Sequence, residues 1–287
     1  MIAIFKRELA NYFRTPLGYI FMGLFLLITG FFFAYGNLLS GNPYFTSFIS
    51  NILFIFLLAV PLLTMRLLSE DRRLRTDQLL LTTPIKVTDI VMGKYMAAMT
   101  VYIITLLFTV LYAVMIGIFG EIIVSEVFGA YVGMILLGSC FVSIGILISG
   151  STDNQVTSAF FTFFGLLFIW LIELVKQVAP QELLAGILFA SFAVLALAAY
   201  LFMNSRSLLL SGLVVILGAV AIVVGFLIDP GVFPPLISNV LDWFSLLERF
   251  NDFTLGILPL DAVVFYVSFT AVFLYLTIRL IEKRRWA

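Results

Sequence analysis

Ser207 to Ile228 reads SLLLSGLVVILGAVAIVVGFLI, 22 residues without one charge, and Asp229-Pro230-Gly231 follows at once. About 20 apolar residues in a helix cross the hydrocarbon core of a bilayer, and an acidic residue followed by Pro-Gly ends such a helix. Just upstream, Met203-Asn204-Ser205-Arg206-Ser207 reads as a tight turn back to a second apolar run at 183–203. The same ruler finds further runs at 16–37, 48–68, 95–119, 128–150, 156–176 and 262–281. Each run is continuous rather than alternating, which marks helices and not barrel strands. The fold class is therefore all-α: a polytopic integral membrane protein of eight spans, organised as a single transmembrane domain over 1–287.

Composition points the same way. Of 287 residues, 63% are apolar and 11% charged, against about 45–50% and about 25% in a soluble domain. A soluble fold of this size has nowhere to hide that hydrocarbon. Sixteen Lys and Arg balance sixteen Asp and Glu, so the basic surplus of a nucleic-acid binder is missing. With no histidine and one cysteine, Cys140, disulfide frameworks and zinc clusters are excluded. Catalytic and metal sites are not expected, nor is a cofactor in this chain. No G-x-x-x-x-G-K-[ST] phosphate loop occurs in the sequence.

Basic residues set the orientation. With the N-terminus in the cytoplasm, all of them except Lys176 and Arg249 fall inside, which satisfies the positive-inside rule. Both termini are then cytoplasmic. The first span reads as retained rather than cleaved, because its apolar core is long and a helical segment precedes it. In that segment, residues 1–15, Ile2, Phe5, Leu9, Tyr12 and Phe13 share one arc, with Arg7, Glu8 and Asn11 opposite and Lys6 at the border. This is the pattern of a helix lying flat on the membrane; a frayed, solvated N-terminus is the alternative.

The span middles carry no ionisable residue; Arg66, Glu173, Lys176 and Arg279 sit near the ends. Proton-coupled carriers keep such groups near the midplane. Glu173 and Lys176, three apart, read as a mutually satisfied interfacial pair. If the protein moves something uphill, its energy comes from another chain. Small residues between Gly133 and Gly150 read as sites of close helix packing.

The longest polar stretch on the inner side is the elbow, residues 69–94. Ser69 to Gln78 reads as a charged helix continuing the second span, with Pro61 a kink within that span and Glu70 braced by Arg73 at i,i+3. Thr83-Pro84 is the cap and first position of a second short helix, Pro84–Met92. On it Ile85, Ile90 and Val91 supply apolar surface, and Lys86 and Asp89 polarity. Lys94 is placed to snorkel at the start of the third span. Composition fits a docking element and a plain solvated loop equally.

The elbow resembles that of the permease subunits of type 2 ATP-binding-cassette (ABC-2) transporters. Their pattern, E-x-R-x-x-G-T-x-E-x-L-L-x-x-P followed by G-K, is matched by Glu70, Arg72, Thr76, Leu79, Leu80, Pro84, Gly93 and Lys94. Arg75 stands where Gly is usual and Gln78 where an acid is usual. Ser149 to Gln155 resembles the family's polar turn ending in N-Q. Leu246–Gly256 and Glu282–Trp286 resemble a branch with gliding-motility and copper-enzyme-maturation permeases, which often has His where Arg249 stands. The resemblance covers 1–176 and 240–287, and makes 183–228 a hairpin beyond the usual six helices. It implies a dimer, each copy over a cytoplasmic ABC ATPase that holds ATP and Mg, with Glu70, Arg72, Arg73, Thr76, Pro84, Ile85, Lys86, Asp89, Ile90 and Lys94 coupling the two.

Residues 229–261 lie outside the inner face. Leu236, Val240, Trp243, Phe244, Leu247 and Phe250 recur at helical spacing, so amphipathic helices either gate the pathway or pack over the helix ends. Three functions fit: an ATP-driven exporter's membrane subunit in the cell membrane, a single-component secondary carrier, and a structural subunit of a membrane complex. Membrane lipid is a partner in all three, nucleic acid in none.

Overall fold

The structure is a computed structural model that describes residues 1–41, 45–76, 85–119 and 123–285. Described residues form helices and no strand: α1 (Ile2–Arg14), α2 (Pro16–Phe33), α3 (Phe45–Thr64), α4 (Ser69–Arg73), α5 (Val87–Phe119), α6 (Val124–Ser151), α7 (Gln155–Val178), α8 (Leu183–Ser205), α9 (Leu208–Ile228), α10 (Leu236–Phe244), α11 (Glu248–Thr254) and α12 (Leu260–Arg285). Eight stretches are long and apolar enough to cross a membrane, and they coincide with the eight runs read from the sequence. The first is α2 prolonged by a π-helical turn, Ala34–Leu39. The second joins α3 to α4 across a short turn.

Two compact units divide the chain, Met1–Phe168 with Leu246–Ala287, and Ile169–Ser245. In the first, α6 is the hub. Its glycines receive side chains that a methyl group would displace: Tyr102 at Gly138, Thr64 at Gly145, and Phe250 and Phe253 at Gly133. The stripe of small residues thus serves close approach. Tyr102 donates its hydroxyl to the Met134 carbonyl at 2.7 Å, and Cys140 donates to the Tyr266 carbonyl at 3.3 Å. Ser139 and Thr270 hydroxyls meet at 3.1 Å, tying α6 to α12.

Of the amphipathic stretch before α12, the last helix, α11, packs against α6. Phe250 and Phe253 on α11 are buried, and Gly256, at φ +76°, lies against the backbone of Ser125 and Glu126. Only glycine occupies that left-handed conformation without steric cost. Arg249 lies over the Phe265 ring at 3.9 Å, a cation–π contact available to arginine.

In the second unit α8 and α9 form a hairpin. Arg206 turns it in the left-handed conformation, φ 50°, and the Ser207 hydroxyl accepts the Leu210 N–H at 3.4 Å to start α9. No residue of α9 is buried within the chain, as suits an all-apolar helix whose sides face hydrocarbon. Glu173 and Lys176 do not satisfy each other as expected. Lys176 pairs with Asp242 at 2.5 Å, and Glu173 accepts the Ser245 hydroxyl at 2.9 Å. Spacing is the reason: Asp242 and Ser245 are also three apart, so the two polar pairs clip the end of α10 to the end of α7.

Candidate functional site: the elbow and its ties

Thr64 ends α3 one turn after Pro61, and the expected unbroken lever from span two is jointed at Met65–Leu68. A broken helix exposes N–H groups that need partners. Ser149, at the end of α6, supplies one: its hydroxyl oxygen accepts the Leu68 and Ser69 N–H groups, each at 3.1 Å. The same hydroxyl donates to the Met65 carbonyl at 3.2 Å. The joint is therefore locked from outside its own segment. Replacing Ser149 by alanine strands two buried N–H groups, a loss of about 1–3 kcal/mol that thermal unfolding in detergent measures.

Charged side chains add three more ties. Arg66 pairs with Glu70 one turn later and donates to the Thr15 hydroxyl at 3.0 Å. Glu70 is thus braced by Arg66 and not by Arg73, which lies exposed beyond it. Arg72 pairs with Asp153, in the turn between α6 and α7, and donates to the Gly150 carbonyl in the last turn of α6 at 3.2 Å. Thr76 closes the elbow helix by donating to Asp71 at 3.2 Å.

Lys94 makes the third tie and departs furthest from its expected place. Its ammonium does not snorkel; the side chain is 2% exposed. Nζ lies 2.8 Å from Asp71 Oδ2, 3.1 Å from Glu8 Oε1 and 2.5 Å from the Leu67 carbonyl. An ammonium has three donors and no acceptor; here it donates to Glu8 and to the Leu67 carbonyl, and Asp71 adds an ion pair. Arg7, 2.7 Å from the same Glu8 oxygen, balances the second carboxylate. The cluster joins α1, the elbow and α5.

The N-terminal helix buries a face that shares only Tyr12 with the apolar arc. Ile4, Glu8 and Tyr12, one turn apart, are buried against the protein, while Ile2 is exposed. Ile4 sits on Gly93, where a methyl group would lie 3.1 Å from its Cβ. Tyr12 donates to the Leu63 carbonyl at 2.6 Å; burial, then the nearby Glu8 carboxylate, raises its pKa, so the phenol keeps its proton as a donor.

The second short helix is not separate. Lys86 precedes a helix that begins at Val87 and runs unbroken to Phe119, so it merges with the third span. Val87, Ile90 and Val91 are buried, whereas Lys86 is exposed and Ile85 half-buried. Asp89 faces the Met1 amine at 3.8 Å. Pro84 lies outside the described residues. Of the residues singled out in the sequence, Glu70, Arg72, Thr76 and Lys94 come together in the ties, and Asp89 and Ile90 lie along the start of α5 facing α1. Glu8, Asp71, Ser149 and Asp153 were missed. Among the described residues no group of three or more metal-ligating side chains gathers.

Residues 17–211, more than half of the chain, match the model of a family described as ABC-2 family transporter protein. The chain belongs to that family. No curated protein matches the chain. The ABC-2 match takes in the whole elbow and continues through α8 to the start of α9, so the first helix of the hairpin lies within the family's extent. The elbow departs from the ABC-2 pattern at Arg75, whose φ is +56°. A side chain in the left-handed region costs about 1–2 kcal/mol, which accounts for glycine as the usual residue there. Arg75→Gly is expected to raise the unfolding free energy by up to about 1 kcal/mol, since glycine's own chain entropy offsets part of the relief. Denaturant titration in micelles measures it.

Proposed function

We propose that this ABC-2 protein is the membrane-spanning subunit of an ATP-driven exporter. It works in the cell membrane with both termini cytoplasmic, as a pair with a second copy or a homologous permease. A separate cytoplasmic ABC ATPase, holding ATP and Mg, drives it through the elbow. The C-terminal motif, similar to that of gliding-motility and copper-enzyme-maturation permeases, puts it in their branch.

One observation carries this reading: the elbow is fastened to α1 through Glu8, to α5 through Lys94 and to α6 through Ser149 and Gly150. A push on it reaches several spans at once. Glu70, Arg72 and Lys94 act as braces inside the lever, and Arg73 and Lys86 face outward. The sequence lacks a phosphate loop, so the power stroke is borrowed. Purification of the tagged protein from its own membranes in mild detergent tests the partnership. An ABC ATPase in equal amount is the expected companion; a chain that purifies alone and takes up solute down an ion gradient in liposomes contradicts it.

A further inference from the structure

The hairpin of the second unit carries one cation. From 177 to 248 the only Lys or Arg is Arg206, and it is exposed at the turn between α8 and α9. The nearest carboxylates in sequence, Glu182 and Asp229, stand at the opposite ends of the two helices. Arg206 also holds the left-handed conformation, φ 50°, which glycine adopts without steric cost. Glycine would serve the turn better, so the arginine is explained by its side chain and not by its backbone.

Beside this turn the two helices leave a groove of about 370 Å³. Leu195, Ala198 and Phe202 wall it on α8, and Leu208, Gly212 and Val215 on α9. Two glycines mark its limits. A methyl group on Gly218 would run into Val194, so the helices touch there, whereas on Gly212 it would meet nothing within 4 Å. From Phe202 back to Leu195 the wall rises about 10 Å at ~1.5 Å per residue, roughly a third of the hydrocarbon core.

Location selects the occupant. The groove lies within two apolar spans, where a water-soluble protein does not reach, and its turn end carries a positive charge. An acyl chain fits the first feature and a phosphate at headgroup level the second. On the orientation proposed above, the turn lies at the inner leaflet, whose anionic lipids attract a cation near the surface. An apolar span of another chain fills the groove but brings no anion to Arg206.

We propose that the groove between α8 and α9, with Arg206 at its mouth, binds one anionic phospholipid: an acyl chain lies along Ala198 and Gly212, and the phosphate meets the guanidinium. The site needs only the hairpin in a bilayer, so it stands apart from the ATPase reading.

The test uses the full-length protein in phosphatidylcholine nanodiscs that carry a trace of phosphatidylglycerol with a photoreactive diazirine on its acyl chain. Mapping of the labelled peptides is expected to find the wild type marked between 195 and 215. Added unlabelled phosphatidylglycerol suppresses that mark; added phosphatidylcholine and glycerol 3-phosphate do not. R206G lowers it about fivefold, R206K keeps it, and G212L, which fills the groove, lowers it as R206G does. Labelling of the other helices is the same in all three variants. The unfolding midpoint of R206G stays at or above the wild-type value, which separates lost binding from lost folding. Equal marking of the hairpin in R206G and wild type overturns the site, as does equal competition by phosphatidylcholine. Suppression by glycerol 3-phosphate overturns it too, by making the ligand a free phosphate. So does a hairpin crosslinked to a second copy instead of lipid, which makes the groove a contact between chains. Each of these results leaves the ATPase partnership intact.

Discussion

Replacing Lys94 by methionine is expected to cost about 3–5 kcal/mol of stability. The side chain is buried at 2% exposure, and its ammonium is shared by Glu8, Asp71 and the Leu67 carbonyl. Methionine fills the stem's volume but leaves Asp71 without its cation and Glu8 with Arg7 alone. Uncompensated buried charge is the expensive outcome, more than the loss of attraction itself. Neutralising the partners should therefore recover most of the loss: Glu8→Gln and Asp71→Asn on the Lys94→Met background return much of the unfolding midpoint. Lys94→Arg should fall between, because a planar guanidinium does not match three converging oxygens. Denaturant unfolding of the four proteins in one detergent checks the series. An unchanged midpoint in Lys94→Met refutes the cluster.

Gly129→Leu is expected to be comparably damaging, by about 3 kcal/mol or more, for a different reason. A Cβ at Gly129 runs into the Phe253 carbonyl oxygen and lies 3.0 Å from Gly256 Cα. Both obstacles are backbone, so no rotamer change relieves them, and the cap formed by α11 must lift from α6. Gly212→Ala and Gly23→Ala are the contrast. A methyl group there meets nothing within 4 Å, and alanine's helix propensity makes both variants neutral or up to about 1 kcal/mol more stable. Thermal unfolding of the three variants decides between crowding and a generic cost of changing glycine: equal losses in all three contradict the packing account.

The spans were legible because hydrocarbon is unambiguous: runs such as 207–228 have no other stable home. Polar ties were legible only when both partners were close in sequence, and even then incompletely. Glu70 had Arg66 four residues before it and Arg73 three after; helical geometry allows either, and packing chose the first. Lys94 at the foot of an apolar run looks like a snorkelling lysine, since Asp71 and Glu8 lie 23 and 86 positions away. The break at Met65–Leu68 was hidden for the same reason, its acceptor being Ser149, 81 positions from Leu68. Glu8 was read as solvent-facing because its arc is polar; α1 buries it on a face with Ile4 and Tyr12, where it reaches Lys94, and leaves its neighbour Arg7 exposed. Thr83-Pro84 carries a helix-start signal, yet nothing between Met92 and Tyr95 stops a helix except Gly93, which Ile4 covers. The result is one helix from Val87 onward.

On the proposal above, this permease takes its energy from a companion ATPase through the elbow. ATP hydrolysis by that ATPase, measured with and without the permease in proteoliposomes, tests it most directly. The permease is expected to change the hydrolysis rate, and Lys94→Arg, folded but loosened at the elbow, to blunt the change. A hydrolysis rate indifferent to the permease, or solute movement by the permease alone under an ion gradient, contradicts it.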